Sequence, residues 1–356
     1  MNQPRIAQID VIAPNFKKRM SGVTSTVYRL VPLQARSMAI ASAGPSVPAE
    51  VPSVSLSALL SMSRKGPSGA RVWHARRNNE MLVGIALKRL LRKRLKLVFT
   101  SAAQRHHKPA TKWMLRQMDA VVATSQRSQS FLEVPSIVQH HGIDAELFHP
   151  AESPEAKAAL RRKLGLPETQ VLVGCFGRIR PQKGNDIFIE AMLRLLPERP
   201  GVTAVMMGGV TDQFRDFHAG LKQRVAEAGL DKQVLFLPED PNWDISPWFR
   251  ALDLYVAPQR WEGFGLTPME AMSCGVPVVA TRAGAFEDFI PDGKAGLIVD
   301  IEETEALTQA TATLLDDPDK RAAFARDARA HVLQSCRIEQ EAEALNALYR
   351  RLLDAG

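Results

Sequence analysis

Residues 257–281 contain the feature that most restricts how this chain folds. The segment reads as a strand that ends near Ala257, a glycine-containing loop, and a short helix that begins near Thr267-Pro268. An apolar, β-branched strand then follows over 276–281. A strand, a glycine loop, a helix and a second strand, in this order, predict a parallel α/β sheet with its binding loops at the carboxyl ends of the strands.

Two carboxylates flank the predicted helix. Glu262 lies in the loop before the helix, and Glu270 lies in its first turn. The backbone N–H groups of Gly265, Leu266 and Thr267 open the helix, and the free N–H groups of a first helical turn attract anions. The segment therefore predicts a site for a phosphate-bearing ligand that both carboxylates face.

The same alternation of strands and helices runs through the rest of the chain and predicts an α/β fold of two Rossmann-like, parallel-sheet domains that face a cleft. We expect domains at 1–150 and 151–335 and a C-terminal helix within 336–356. Strands are expected at Ile6–Ile12, Arg71–His74, Leu95–Thr100, Ala120–Thr124, Ser136–Gln139, Val171–Phe176, Val202–Gly208, Val234–Leu237, Leu254–Ala257, Val276–Thr281 and Gly296–Val299. Residues 42–70, rich in Ser, Pro and Gly, are expected to form an irregular excursion.

Composition excludes several classes of protein. The three cysteines, Cys175, Cys274 and Cys336, are scattered without a C-x-x-C pair, which argues against a disulfide framework or a zinc site and fits a reducing cytoplasm. The first residues lack the apolar stretch of a signal peptide, and no apolar run reaches the length of about 18 residues that a membrane span needs. We therefore expect a cytoplasmic protein.

Charge is divided unevenly along the chain. Residues 1–150 contain 22 Lys and Arg against 7 Asp and Glu, whereas residues 151–356 contain 24 against 31. The densest cationic run, Lys88–Lys96, has leucines at helical spacing and is expected to form a basic helix face. A run of this kind is often only solvated. The imbalance of a whole half, however, favours an anionic partner such as a phospholipid surface or a phosphorylated glycolipid. Nucleic acid is not expected, because no aromatic residues interleave with the cations.

Two motifs together resemble a known family. Glu262-x7-Glu270 and the segment Gly177–Gly184 (Gly-Arg-Ile-Arg-Pro-Gln-Lys-Gly) resemble glycosyltransferase family 4, whose members are retaining enzymes of the GT-B fold. The segment Ser21–Thr24, with Gly22, resembles the glycine-rich loop that closes over the donor diphosphate in that family. The resemblance also implies that the C-terminal helix crosses back to the N-terminal domain, with hinges near 149–153 and 335–337.

The first half is similar to lipopolysaccharide-core mannosyltransferases of alphaproteobacteria. The similarity is carried by Trp73–Asn78, Phe99–His107 and Met118–Val121. It implies GDP-mannose as the donor and an inner-core sugar as the acceptor.

The resemblance assigns roles to individual residues. Arg178 and Lys183 are expected to hold the donor diphosphate, since the leaving group gains negative charge during transfer. Glu270 is expected to accept hydrogen bonds from the ribose hydroxyls, and Glu262 to lie near the donor sugar. These two cations imply that no metal is required, so Asp317-Pro318-Asp319 is interpreted as a surface turn.

Further candidates lie in the N-terminal half. Arg76, Arg77 and Asn78 follow a predicted strand and are candidate contacts for an acceptor that carries a carboxylate or a phosphate. The family often has a histidine after the strand Leu95–Thr100, but that position is Ser101 or Ala102 here. His107, a few residues later, is the candidate catalytic histidine.

The leading hypothesis is thus a retaining glycosyltransferase that works at the inner face of the plasma membrane. It would move a hexose, mannose above all, from a nucleotide-sugar to a lipopolysaccharide-core or other lipid-linked acceptor. A UDP-hexose donor on the same fold is the alternative. A membrane-associated binding protein without catalytic activity is disfavoured, because Arg178, Lys183, Glu262 and Glu270 are all present.

Overall fold

The computed structural model describes residues 3–18, 22–240 and 244–355 of the chain. The chain divides into two compact units. Unit 1 comprises Met1–Gly142 with Ile338–Gly356, and unit 2 comprises Ile143–Arg337. Each unit is built on its own sheet, in which every pair of neighbouring strands is parallel.

Unit 1 alternates strands and helices. Its strands are β1 (Val11–Pro14), β2 (Ile40–Ala43), β3 (Ser53–Val54), β4 (Arg71–Ala75), β5 (Leu95–Ser101), β6 (Ala120–Ala123) and β7 (Ile137–Val138). Its helices are α1 (Gly22–Gln34), α2 (Leu56–Ser61), α3 (Asn78–Arg89), α4 (Pro109–Leu115), α5 (Gln126–Gln129) and, from the end of the chain, α14 (Ile338–Asp354). The strand order is β3-β2-β1-β4-β5-β6-β7.

The sheet of unit 1 is covered on both faces, as parallel sheets generally are. Apolar residues of α1 and α14, among them Val27, Leu345 and Leu348, pack on one face against Val72 and Val98. Residues of α3 and α4 pack on the opposite face. The C-terminal helix is therefore an integral part of unit 1.

Unit 2 repeats the pattern. Its strands are β8 (Val171–Phe176), β9 (Val202–Met207), β10 (Val234–Leu237), β11 (Leu254–Ala257), β12 (Val278–Thr281) and β13 (Gly296–Val299), in the order β10-β9-β8-β11-β12-β13. Its helices are α6 (Pro154–Lys163), α7 (Asn185–Leu195), α8 (Arg215–Glu227), α9 (Ser246–Ala251), α10 (Thr267–Ser273), α11 (Phe286–Phe289), α12 (Thr304–Asp316) and α13 (Pro318–Ser335). Strands β8 and β11 are neighbours, so the loops that follow them emerge side by side.

The boundary between the units lies at Gly142/Ile143, eight residues before the expected limit at residue 150. Residues 143–150 pack on unit 2, because Ile143 and Phe148 belong to its apolar core. The Arg329 guanidinium donates to the carbonyl oxygens of Ala145 and Phe148 at 3.0 and 2.9 Å. The chain passes from unit 2 back to unit 1 at Arg337/Ile338, rather than after residue 335 as expected.

Two local expectations for the N-terminal half were wrong. Residues Ile6–Gln8 form a 3₁₀ turn instead of extending the first strand, which begins at Val11. The buried Arg71 guanidinium explains the turn, because it donates to the carbonyl oxygens of Ile9 and Ile6 at 2.9 and 3.3 Å. Residues 42–70 are also not irregular throughout, since they contain β3 and α2.

The cationic run Lys88–Lys96 is not a single helix. Helix α3 ends at Arg89, Arg92 adopts a φ of +50°, and β5 begins at Leu95. Leu90 and Leu91 are therefore exposed by 79% and 42%, whereas a continuous amphipathic helix would have buried them. The run forms an exposed turn at the amino end of β5.

Candidate active site

The loop between β8 and α7 contains the first two predicted site residues, Arg178 and Lys183. Residues Pro181–Lys183 form a 3₁₀ turn that ends at Gly184. Gly184 has a φ of +67°, and a Cβ at this position would lie 1.8 Å from the carbonyl oxygen of Pro258. Only glycine therefore allows this loop to lie against the chain that follows β11.

Lys183 and Glu262 form an ion pair between the two neighbouring loops. Both side chains are only 18% exposed, so the pair is partly shielded from water. The second oxygen of Glu262 accepts a hydrogen bond of 3.0 Å from the backbone N–H of Gly263. The structure thus joins residues of the two motifs that lie 79 positions apart in the sequence.

Gly265 explains why a glycine loop is required around Glu262. Its φ is +91°, and a Cβ there would lie 2.2 Å from the ring of Phe286 and 2.9 Å from Cγ of Glu262. Gly284 approaches the same carboxylate from the next loop, where a Cβ would lie 3.0 Å from Cβ of Glu262. The Glu262 side chain is held between two glycines, and a larger residue at either position would displace it.

Helix α10 begins at Thr267, with Leu266 at the N-cap, and places Glu270 in its first turn. Glu270 is only 7% exposed. Beneath the helix, the buried phenol of Tyr255 donates to the carbonyl oxygen of Phe176 at 3.1 Å and lies within hydrogen-bonding reach of Thr267. Burial raises the pKa of Tyr255 well above its ordinary value, so the phenol stays neutral and serves as a support for the site.

Arg260 was not found by the sequence analysis. Its guanidinium binds both carboxylate oxygens of Asp186 at 2.7 and 2.9 Å and donates to Glu302 at 2.9 Å and to the carbonyl oxygen of Pro181 at 2.7 Å. These carboxylates raise the pKa of Arg260 above its ordinary value. The residue fastens the loop of Lys183 to the loop of Glu262, and no local sequence signal distinguishes it from a surface arginine.

Arg178 follows β8 directly, and among the described residues none pairs with its guanidinium. It is therefore available to an external anion. Across the neighbouring turn, Glu239 lies so close to Gly209 that a Cβ on Gly209 would be 2.7 Å from a Glu239 carboxylate oxygen. The segment 238–243, which follows β10, is a further candidate from the sequence for contact with the nucleotide base, and its residues 241–243 lie outside the described residues.

Unit 1 contains a pocket of about 600 Å³ at the carboxyl ends of β4 and β5. Among the described residues, its lining includes three permanent cations and two histidines but no Asp or Glu. The lining residues are Arg76, Asn78, Phe99, Thr100, Ser101, Ala102, Ala103, Arg105, His106, His107, Lys108 and Thr111. A pocket with this lining favours an anionic ligand.

The candidate histidine lines this pocket. His107 is partly buried, and its Nε2 atom is enclosed without a hydrogen-bond partner among the described residues. Burial, followed by the charges of Arg105 and Lys112, lowers the pKa of His107. The imidazole is consequently neutral at pH 7 and can accept or donate a proton.

The three candidates at residues 76–78 have different surroundings. Arg76 and Asn78 line the pocket. Arg77 instead joins elements of unit 1, since its guanidinium donates to Asn15, Thr24 and the buried Glu80 at 2.7, 2.9 and 2.8 Å. The expectation that Arg77 contacts the acceptor therefore has no support from its position.

Gly22 is the first residue of α1, which follows β1 in unit 1, and Ser21 lies outside the described residues. Asp317 caps helix α13 by accepting from the backbone N–H of Lys320 at 2.9 Å. Among the described residues, no group of three or more His, Cys, Asp or Glu side chains is arranged to hold a metal ion. In the same part of the chain, no helix combines the length and the apolar character needed to cross a bilayer.

Comparison with solved structures identifies the fold. The structure of Anabaena HepE in complex with UDP and glucose superimposes with a TM-score of 0.80, at 21% identity, over 96% of this chain and all of that chain. WaaG, a glycosyltransferase involved in lipopolysaccharide biosynthesis, gives a TM-score of 0.68 at 18% identity over 95% of this chain and 99% of that chain. The two parallel-sheet units are those of the GT-B fold.

Comparison of sequences identifies the family. Residues 156–331 match the model described as glycosyl transferases group 1. The lipopolysaccharide core biosynthesis mannosyltransferase LpcC of Rhizobium leguminosarum bv. viciae is 50% identical over 98% of each chain. The corresponding enzyme LpsB of Rhizobium meliloti (strain 1021) is 48% identical over 98% of this chain and 99% of its own. The chain therefore belongs to the group 1 glycosyltransferases, and the protein is a glycosyltransferase.

Proposed function

We propose that the protein transfers mannose from GDP-mannose to a lipopolysaccharide-core or other lipid-linked acceptor, with retention of configuration. The observation that carries this proposal is the Lys183–Glu262 ion pair between the loops that follow β8 and β11, with Arg178 in the first loop and the nearly buried Glu270 in the helix that follows the second. Two relatives of nearly equal length are named as lipopolysaccharide core mannosyltransferases, which supports the sugar and the class of acceptor.

The chemistry assigns a role to each of these four residues. Breaking the bond between the sugar and the diphosphate leaves negative charge on phosphate oxygens, which Arg178 can bind in a fork and Lys183 can bind as a point charge. Glu262, paired with Lys183, is then close to the bond that breaks and stabilises positive charge developing on the sugar ring. Glu270 accepts hydrogen bonds from the ribose.

This scheme needs no metal ion, because Arg178 and Lys183 supply the positive charge that a divalent cation otherwise provides. Gly22 and the backbone N–H groups of Leu266 and Thr267 are proposed as additional contacts of the donor. The side chain of His107 is proposed to contact donor or acceptor.

The acceptor side of the proposal is based on the cationic pocket of unit 1. Arg76, Arg105 and Lys108 are suited to a sugar that carries a carboxylate or a phosphate. A neutral sugar would leave these cations without counter-charge. An anionic core sugar is therefore the proposed acceptor.

The donor is tested by incubating purified protein with a truncated lipopolysaccharide core and either GDP-mannose or a panel of UDP-hexoses, without added metal and with EDTA. We expect one added hexose by mass spectrometry with GDP-mannose only. The Lys183→Ala and Glu270→Ala variants should lose at least 100-fold in rate, whereas the exposed Lys163→Ala control should keep full rate. Transfer from a UDP-hexose alone would replace the donor, and full activity in Lys183→Ala would refute the assigned site.

The acceptor pocket is tested by substituting Arg105, which lies on its exposed rim. Arg105→Gln should raise the KM for the acceptor about tenfold while leaving the KM for GDP-mannose unchanged, since charged hydrogen bonds contribute about 1.5–3 kcal/mol each. Arg162→Gln, on the surface of unit 2, is the matched control. An unchanged acceptor KM would place acceptor binding elsewhere.

We also propose that the enzyme acts as a peripheral protein at the cytoplasmic face of the plasma membrane. The net charge of +15 over residues 1–150 supports this location, because anionic lipids attract basic surfaces. Exposed Leu82 and Trp113 on α3 and α4, at 55% and 49%, offer apolar contacts beside these cations.

A further inference from the structure

A chain of buried polar side chains connects the C-terminal helix of unit 1 with the cationic pocket. The phenol of Tyr349, on α14, lies 2.5 Å from Nδ1 of His74, and Nε2 of His74 lies 2.7 Å from Oγ1 of Thr100. Tyr349 and His74 are fully buried, whereas Thr100 is partly exposed and lines the pocket. The glycosyltransferase chemistry described above makes no use of these three residues.

The sheet explains how the three side chains meet. His74 on β4 stands opposite Val98 on β5, and Thr100 lies two residues further along β5 on the same face. Helix α14 covers this face of the sheet. Tyr349 can therefore reach His74 from above, while Thr100 occupies the carboxyl end of the strand, where the pocket opens.

Arg76 bears on the direction that we infer for the protons. Its guanidinium lies within hydrogen-bonding reach of the Tyr349 phenol, as does Gln34, and because a guanidinium can only donate, the phenol oxygen is its acceptor. Burial raises the pKa of Tyr349, so the phenol keeps its proton, and we infer that it donates this proton to Nδ1 of His74.

The protonation state of the His74 ring determines which atom donates in its hydrogen bond with Thr100. Burial, with the charges of Arg76 and His141, lowers the pKa of His74 well below its ordinary value, so the ring is neutral and carries a single proton. In the arrangement that we infer, Nδ1 accepts from Tyr349, so the single ring proton lies on Nε2 and is donated to Oγ1 of Thr100. Among the described residues, no side chain other than His74 forms a hydrogen bond with the Thr100 hydroxyl, whose own proton is thus free to point into the pocket.

We propose that Thr100 determines acceptor specificity by donating its hydroxyl proton to an oxygen of the bound anionic sugar, and that Tyr349 and His74 are positioning residues that fix this direction. The proposal rests on the acceptor assignment made for the pocket. Arg76 lines the same pocket, so a neutral donor and a cationic donor face the same ligand space. This pair suits a carboxylate or phosphate oxygen.

Binding of a delipidated core oligosaccharide that carries carboxylate and phosphate groups tests the proposal, measured by titration calorimetry of the full-length protein. Thr100→Val should weaken binding about tenfold, and Thr100→Ser should stay within threefold of the wild type. Tyr349→Phe should weaken binding about threefold, because His74 is then no longer held in one tautomer. Thr169→Val, on the surface of unit 2, is the control. Equal binding by Thr100→Val and wild type, or equal losses in Thr100→Val and Thr100→Ser, would overturn the role of the hydroxyl.

A second measurement concerns the proton directly. In ¹⁵N-histidine-labelled protein, the NMR signals of His74 should show the Nε2–H tautomer, and Tyr349→Phe should introduce the Nδ1–H form. If His74 carries its proton on Nδ1 in the wild type, the proposed direction of these hydrogen bonds is wrong. Neither measurement needs transfer activity, so an enzyme that binds the oligosaccharide but rejects GDP-mannose would contradict the donor proposal and leave this one intact. A wild type that does not bind the oligosaccharide would refute this proposal.

Discussion

The Lys183–Glu262 ion pair shows what single residues contribute to this enzyme. Both side chains are largely buried, so removing one partner leaves a charge that water cannot fully solvate. The pair also restrains Lys183, because a donor phosphate must compete with the Glu262 carboxylate for the same ammonium group. In the proposed scheme, the residue that assists the chemistry thus limits the affinity for the leaving group.

This competition makes a prediction about Glu262→Gln. The variant should bind GDP as tightly as the wild type or up to tenfold more tightly, because Lys183 is released, while its rate of transfer falls at least 100-fold. Calorimetry with GDP and initial-rate measurements check the two effects separately. Lys183→Met should instead lose both GDP affinity and rate. Weaker GDP binding by Glu262→Gln would show that the carboxylate supports, rather than opposes, phosphate binding.

The sequence predicts candidate site residues, but it does not predict which of them contact one another. Glu262 and Glu270 are recognisable from their spacing around a glycine loop, and Arg178 and Lys183 from their place after a strand. The partnership of Lys183 with Glu262 depends on β8 and β11 being neighbours, which is a property of the whole sheet. Arg260, His74 and Tyr349 make contacts with residues distant in sequence, which no local pattern reveals.

At the scale of elements, the two loops that form the candidate donor site are held together by Arg260. Its contacts to Asp186 and Pro181 fix the turn that carries Lys183, while its own backbone N–H donates to the carbonyl oxygen of Gln182 at 3.1 Å. Arg260 is thus one of the side chains on which the geometry of these loops depends, together with the Lys183–Glu262 ion pair.

Replacing Arg260 with lysine should loosen these loops. Lysine keeps the charge but cannot bind both oxygens of Asp186 and also Glu302, so we expect GDP affinity to fall three- to tenfold with a loss of about 1–2 kcal/mol in stability. Thermal unfolding and GDP titration measure these effects. Arg282→Lys is the matched control, since Arg282 also pairs with two carboxylates, Glu287 and Asp300, on the surface of unit 2. Similar losses of GDP affinity in both variants would show that the clamp is not specific.

Elements with a broad apolar face were the most predictable from the sequence. The central strands and the C-terminal helix lie close to their expected positions. Helix α13 was missed because its buried residues, Phe324, Ala328 and Val332, recur only at every fourth position and leave most of the helix polar. Helix α1 contains Pro32, which argues against a helix in any reading of the sequence alone.

At the scale of the molecule, unit 1 offers two exposed surfaces at which its basic half could contact a membrane. The exposed turn around Leu90 and Leu91 lies at the amino end of β5, whereas the pocket lies at the carboxyl end, about 20 Å away for a strand of this length. Leu82 and Trp113, in contrast, lie about one helical turn from the pocket residues Asn78 and Lys108. A lipid-linked acceptor would reach the pocket more easily from a membrane that contacts α3 and α4.

Vesicle binding distinguishes these two surfaces. Wild-type protein should bind vesicles that contain anionic lipid, and binding should weaken as salt rises, because the attraction is electrostatic and screened within about 8–10 Å. The double variant Leu82→Ser/Trp113→Ser should lose most of this binding, since each substitution removes an apolar contact with the bilayer. Leu90→Ser/Leu91→Ser is the matched control, with two exposed apolar side chains replaced at the other end of the strand, and should bind nearly as well as the wild type. A greater loss in the control would assign the membrane contact to the turn at Leu90, whereas binding that is insensitive to salt would exclude an electrostatic contribution from the basic half.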